Sequence, residues 1–234
     1  QESYMKKSIL MPGVLALLAV CSLPLAAAND APAAPAPAVS AAVPAGAYTL
    51  DKTHASITFR VNHLGFSRYT AQFKQFDAQL QFDPENIAAS SVTATIDPRS
   101  LDLDSPPPGF VDQLLGEQWF NVAQFPLMSF KSTKVEVLEG NKARVTGDFT
   151  LHGVTKPVVL DATFNGGYAG HPMDPHARVG FSASGTLLRS DFGIDYGIPE
   201  PGSTMGVSDE VEIAIEVEFS GPPLAAAVAV ATEE

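Results

Sequence analysis

The segment "VEIAIEVEF", residues 211–219, constrains the fold more than any other stretch. Val211, Ile213, Ile215, Val217 and Phe219 share one parity, while Glu212, Glu216 and Glu218 share the other. Successive side chains leave a strand on opposite sides, so this period is that of a β-strand with one dry face and one wet face. The pattern recurs. "ITFRVNH" sets Ile57, Phe59 and Val61 against Thr58, Arg60 and Asn62, and His63 ends the apolar row. Phe76, Ala78, Leu80 and Phe82 align in the same way, with Phe73 displaced by one residue as across a bulge. Val92, Ala94 and Ile96 form another row. Glu139-Gly140-Asn141 is a hairpin turn signal, after which Val145, Gly147, Phe149 and Leu151 face one way. Pro157 starts "VVLDATFNGG", and Val179, Phe181 and Ala183 alternate after it. Helical patterning occurs only around "FVDQLLGEQWF". About eight strands of this kind predict an all-β fold, an eight-stranded antiparallel barrel with a short helix in one crossover. A two-sheet sandwich is the alternative, but closure removes exposed edges and favours the barrel.

The two ends of the chain follow other rules. From Met5, two lysines precede a mostly apolar run, Ile9 to Val20, and Ala26 and Ala28 stand in A-x-A register before Asn29. That is the layout of a secretory signal peptide, so residues 1–28 are expected to be a leader with an upstream remnant, and the protein to be exported to the periplasm. "LAVC" around Cys21 also resembles a lipidation signal, but Val20 fits poorly there and the A-x-A site favours a soluble product. Residues 30–46 are mostly Ala and Pro, and residues 29–46 are expected to be a linker. The globular domain is placed at residues 47–220 and a flexible tail at 221–234. Removing residues 1–28 takes Glu2, Lys6 and Lys7 from 26 acidic and 14 basic residues, which leaves a net charge of −13. Such an exterior argues against nucleic acid and anionic membrane surfaces as partners.

Catalytic signatures are sparse. No G-x-S-x-G elbow is present, and Cys21 is the chain's one cysteine. "FNGGYAG" lacks the lysine and the strand–helix context of a phosphate loop. His171, Asp174 and His176 offer zinc-type ligands, but their spacing matches neither a helical pair nor a finger, so an exposed polar loop is the plainer reading. His54 and His152 stand apart in sequence. A metal-assisted hydrolase using the histidines is the rival function class, and a ligand-free stress-response module is a third.

Several motifs coincide with a known family. "YTLDKTHASITFRVNHLGFS", "FDPENIAASSVTATID", "FNVAQFPLMSFKSTKV", "TGDFTLHGVTKPV", "RSDFGID" and "SDEVEI" make the domain similar to YceI-like proteins over most of residues 47–220. The resemblance implies a periplasmic, lipocalin-like barrel, without enzymatic activity or cofactor, that holds a polyisoprenoid or quinone-like amphiphile. The channel would be lined by Ile57, Phe59 and Val61, by Phe76 and Leu80, by Val145, Phe149 and Phe181, and by Ile213 and Ile215. Small inward residues, Ala78, Ala94, Gly147, Ala162, Ala183 and Gly185, would leave room for the ligand. His63 and Arg68 are candidates for its polar head, and Arg189 for the head or for an ion pair closing a loop. Trp119 and Phe120 on the crossover helix could cap the channel. Transient contact with a membrane or a membrane redox protein, and a homodimer, are the expected partnerships.

Overall fold

A computed structural model describes residues 43–170 and 172–223. The expected leader with Cys21, most of the Ala/Pro segment, His171 and residues 224–234 lie outside the described residues. The elements are β1 (Gly46–His63), β2 (Ser67–Phe73), β3 (Phe76–Phe82), β4 (Ser91–Ile96), β5 (Leu101–Leu103), α1 (Phe110–Leu115), β6 (Met128–Val137), β7 (Lys142–Leu151), β8 (Val154–Tyr168), β9 (His176–Leu188) and β10 (Val207–Pro223).

These ten strand segments make eight staves. β2 and β3 run in line along β1, with Ile57 opposite Phe73 and Tyr48 opposite Leu80. The Lys74-Gln75 break between them shifts the parity by one, which is the bulge expected beside Phe73. β4 and β5 likewise form one interrupted stave, with Ile96 opposite Phe76 and Leu101 opposite Phe73. β6 to β10 follow as antiparallel neighbours. β10 then pairs with β1, placing Ile215 opposite Ile57 and Ile213 opposite Phe59. That last pairing closes the sheet and decides for the barrel over the sandwich.

The two ends of the barrel differ. At one end aromatic rings make a floor. Phe82 stacks on Phe164 with centroids 6.0 Å apart, and Phe181 stands edge-on to Phe164 at 5.4 Å. Tyr48 is fully buried against Phe82, donates its hydroxyl to the Pro44 carbonyl at 2.6 Å, and has its pKa pushed up to about 12 by burial. Its ring occupies the space above Gly221, where a Cβ would lie 2.0 Å from it. Val43 is buried here too, and β10 runs to Pro223. The packed domain thus extends a few residues past both ends of the expected 47–220.

The opposite end carries tight turns. Phe66 donates its N–H to the His63 carbonyl at 2.9 Å across Leu64 (φ 57°) and Gly65 (φ 74°), the doubly left-handed turn that suits the twist of a hairpin. His152 (φ 52°) and Gly153 (φ 76°) repeat it between β7 and β8. Two local readings are corrected. β8 starts at Val154, so Pro157 lies inside the strand; there β8 has β7 on one side, and its pairing with β9 begins only at Leu160, so the missing N–H is tolerated. α1 stops at Leu115, because Gly116 turns the chain into an extended conformation. Trp119 and Phe120 therefore lie beyond the helix, in a turn-rich segment.

Candidate functional site

The barrel encloses a cavity of about 760 Å³. Its walls follow from strand parity. Ile57, Phe59, Val61, Phe76, Leu80, Val145, Phe149, Phe181, Ile213 and Ile215 all line it, as their alternation requires. Thr58, Arg60 and Glu212 face a groove on the outside. Four of the small residues, Ala78, Ala94, Ala162 and Ala183, border the cavity. Gly147 and Gly185 do not create space. The Phe130 ring lies on Gly147, where a Cβ would meet it at 2.3 Å, and Leu160 covers Gly185.

The cavity meets exposed residues at the turn-bearing end, which we take as the mouth. His63 lines the cavity there and is exposed, and its ring has no hydrogen-bond partner among the described residues. Tyr69, Asp104, Ser105, Pro106, Pro107 and Phe110 complete this rim. Sequence reasoning missed them. Tyr69 was accessible, since it shares parity with Ala71 and Phe73, whereas the proline-rich run has no period to read. The cavity also reaches Ser90, Asn141 and Lys142 near the far ends of β4 and β6.

Arg68 does not border the cavity. β2 places it opposite Asn62 on the wet face, and there it pairs with Glu212. Arg189 is 4% exposed and borders the cavity, but it has no ion pair among the described residues. Its guanidinium donates to four backbone carbonyls, those of Ile194, Tyr196, Val207 and Ser208, at 2.8–2.9 Å. Burial lowers its pKa from the ordinary value, and the charges of Asp209 and Asp195 oppose that shift. The guanidinium carbon stands 5.2 Å from the Trp119 ring centroid, within cation–π range. Trp119 also meets Tyr196 edge-on at 5.6 Å, and its buried Nε1 has no hydrogen-bond partner among the described residues. Phe120 packs on Phe73 at 5.7 Å. Trp119 and Phe120 both line the cavity.

Among the described residues, the histidines do not converge. His152 sits under Phe125 and shares a 3.1 Å hydrogen bond with the Phe192 carbonyl. His54 meets Asp51 and Glu218 in a cluster whose ligand atoms lie within 4.8 Å of one another. None of these three residues borders the cavity, and Asp51 is already engaged by the Arg178 guanidinium at 2.6 Å. Hydrogen bonds from the Thr53 hydroxyl, Arg178 and His54 hold the Asp51 carboxyl well below the usual range. Asp174, bound by Tyr168 and Arg178, is lowered to about 2. An arginine thus supplies the positive charge that these carboxylates face.

Comparison with known proteins bears on this apolar interior. The family model described as the YceI-like domain matches residues 48–219. A UPF0312 protein of Vibrio cholerae is 36% identical over 216 residues, covering 92% of this chain and 98% of its own. Among solved structures, Burkholderia cenocepacia BcnA is 29% identical with a TM-score of 0.61, covering 72% of this chain and 98% of its own. A domain from Saccharophagus degradans, described as a polyisoprenoid binding domain implicated in plant cell wall breakdown, has a TM-score of 0.55 at 13% identity. It covers 75% of this chain and 98% of its own, and shows a shared fold. A closed barrel with a hollow apolar core, matched by the family model along nearly its whole described length, makes this chain a member of the YceI-like family.

Proposed function

We propose that this protein is exported to the periplasm and holds a polyisoprenoid or quinone-like amphiphile in its barrel, sequestering or ferrying it between membranes or proteins. One observation carries the reading: a cavity of about 760 Å³ walled by aliphatic and aromatic side chains. That size lies within the range of specific ligand sites. A prenyl chain in it gains on the order of 0.8 kcal/mol per buried CH₂ before ordering costs. The family resemblance and the polyisoprenoid-binding description of the Saccharophagus domain point to the same ligand class. The role is binding without catalysis or cofactor. The leader pattern at residues 1–28 supports export.

Native mass spectrometry of protein purified from its own periplasm, with organic extraction of the sample, tests the reading. A retained long-chain isoprenoid or quinone is expected. Protein that comes out without lipid, and that takes up none when offered it, would overturn it. One zinc per chain after dialysis would instead favour the metal-assisted hydrolase.

A further inference from the structure

The rim of the mouth carries large apolar side chains turned to water. Phe66 is 82% exposed, Met205 72% and Tyr196 48%. Phe66 belongs to the β1–β2 turn, three residues after the rim residue His63, and Met205 stands two residues before Val207, which also lines the cavity. The two turns are fastened together. Leu64 donates its N–H to the Gly206 carbonyl at 2.9 Å, and Gly65 packs against Thr204 so closely that a Cβ would lie 3.1 Å from it. Leu64 and Gly65 both hold positive φ, so the turn that presents Phe66 is a fixed one. Neither Phe66 nor Met205 borders the cavity.

We propose that Phe66 and Met205 form a docking tip that inserts into the surface of an electrically neutral lipid bilayer and sets the mouth against it. The inference rests on the lipid-binding reading, because a prenyl chain leaving a dry barrel gains nothing by crossing water and needs a membrane at the opening. Charge selects the kind of bilayer. Asp104 lines the mouth, and Asp195, Glu200 and Asp209 lie in or beside the loop that presents Met205. Arg68 is paired with Glu212, and Arg189 is buried. A tip flanked by carboxylates gains nothing from anionic headgroups, so attachment comes from apolar insertion. The far end is less suited: Val137 (57%) and Leu138 (38%) are exposed there, but Glu139, Asn141 and Lys142 follow them directly.

The test is co-sedimentation of the protein with phosphatidylcholine vesicles. The double variant Phe66→Ser/Met205→Ser should partition about tenfold more weakly or worse, since each lost side chain removes insertion energy near the tenfold step. Leu138→Ser should partition like the parent, and added phosphatidylglycerol should not strengthen attachment. Trp119, the chain's one tryptophan, lines the cavity, so its fluorescence change with farnesol reports filling independently. The double variant should respond to farnesol as the parent does. A parent that ignores vesicles, or equal losses in the double variant and Leu138→Ser, would overturn the docking tip. So would a double variant whose only change is a smaller oligomer, which would make the patch an interface with a second copy. Vesicle binding that depends on Phe66 and Met205 without any farnesol response would leave the tip standing and remove the lipid-binding reading instead.

Discussion

At the scale of the residue, His63 and Arg189 show how one cavity uses polar groups in two ways. His63 ends an apolar row where the interior meets water, so its ring can meet a ligand's polar head at little desolvation cost. His63→Phe should keep the fold and weaken binding of a headed prenyl ligand by about 1–3 kcal/mol, roughly five- to 150-fold. Titration with farnesol beside a prenyl hydrocarbon checks this, because the hydrocarbon should bind parent and variant alike. Equal losses for both would make His63 a structural residue. Arg189 acts inward, gathering carbonyls from the loop after β9 and the start of β10. Arg189→Met should cost about 3 kcal/mol or more in urea unfolding, since it leaves those carbonyls unpaired. An unchanged midpoint would mean that water replaces the guanidinium there.

At the scale of the element, β1, β9 and β10 are clasped on the wet face. Arg178 on β9 reaches Asp51 on β1, Glu218 on β10 and Asp174 in the loop before β9. Asp51 and Asp174 have depressed pKa values when folded, so they bind protons less readily than in the unfolded chain. Their stabilisation is therefore present above the ordinary carboxylate value of 3.8 and is lost as pH falls towards about 2, the folded value of Asp174. Arg178→Gln should move the acid-unfolding midpoint to higher pH, followed by circular dichroism, with the loss of stability largest at neutral pH and fading towards about pH 2. A midpoint that does not move would show that the clasp is not coupled to unfolding. The strands themselves were legible because their period is rigid: once Ile57 faces inward, so must Phe59 and Val61. By the same rule Arg68 was legible as an outward residue, since the turn at Leu64-Gly65 sets it opposite the wet-face Asn62. β5 was not legible, because Leu101–Leu103 is too short to show a period. Nor were the carbonyl partners of Arg189, which are backbone atoms that no side-chain pattern marks.

At the scale of the whole molecule, the hollow is a property of a few alanines among many phenylalanines. Ala94→Phe with Ala162→Phe should fill it from two walls, since both residues border the cavity. The filled variant should melt at or above the parent temperature and yield no prenyl lipid on organic extraction. Retained lipid would mean that the ligand sits elsewhere. Closure has a further consequence, for the order of assembly. Thr58 and Ala214 meet across the β1–β10 seam, 156 positions apart. Contacts between such distant residues form slowly, because a long loop must be ordered before they contribute. Until β10 has been synthesised, β1 and β9 are both unpaired edges, and the apolar interior lies open along a side slit wide enough for a strand. A chain that meets its lipid before the seam forms can wrap around it sideways, whereas a finished barrel admits it only lengthwise.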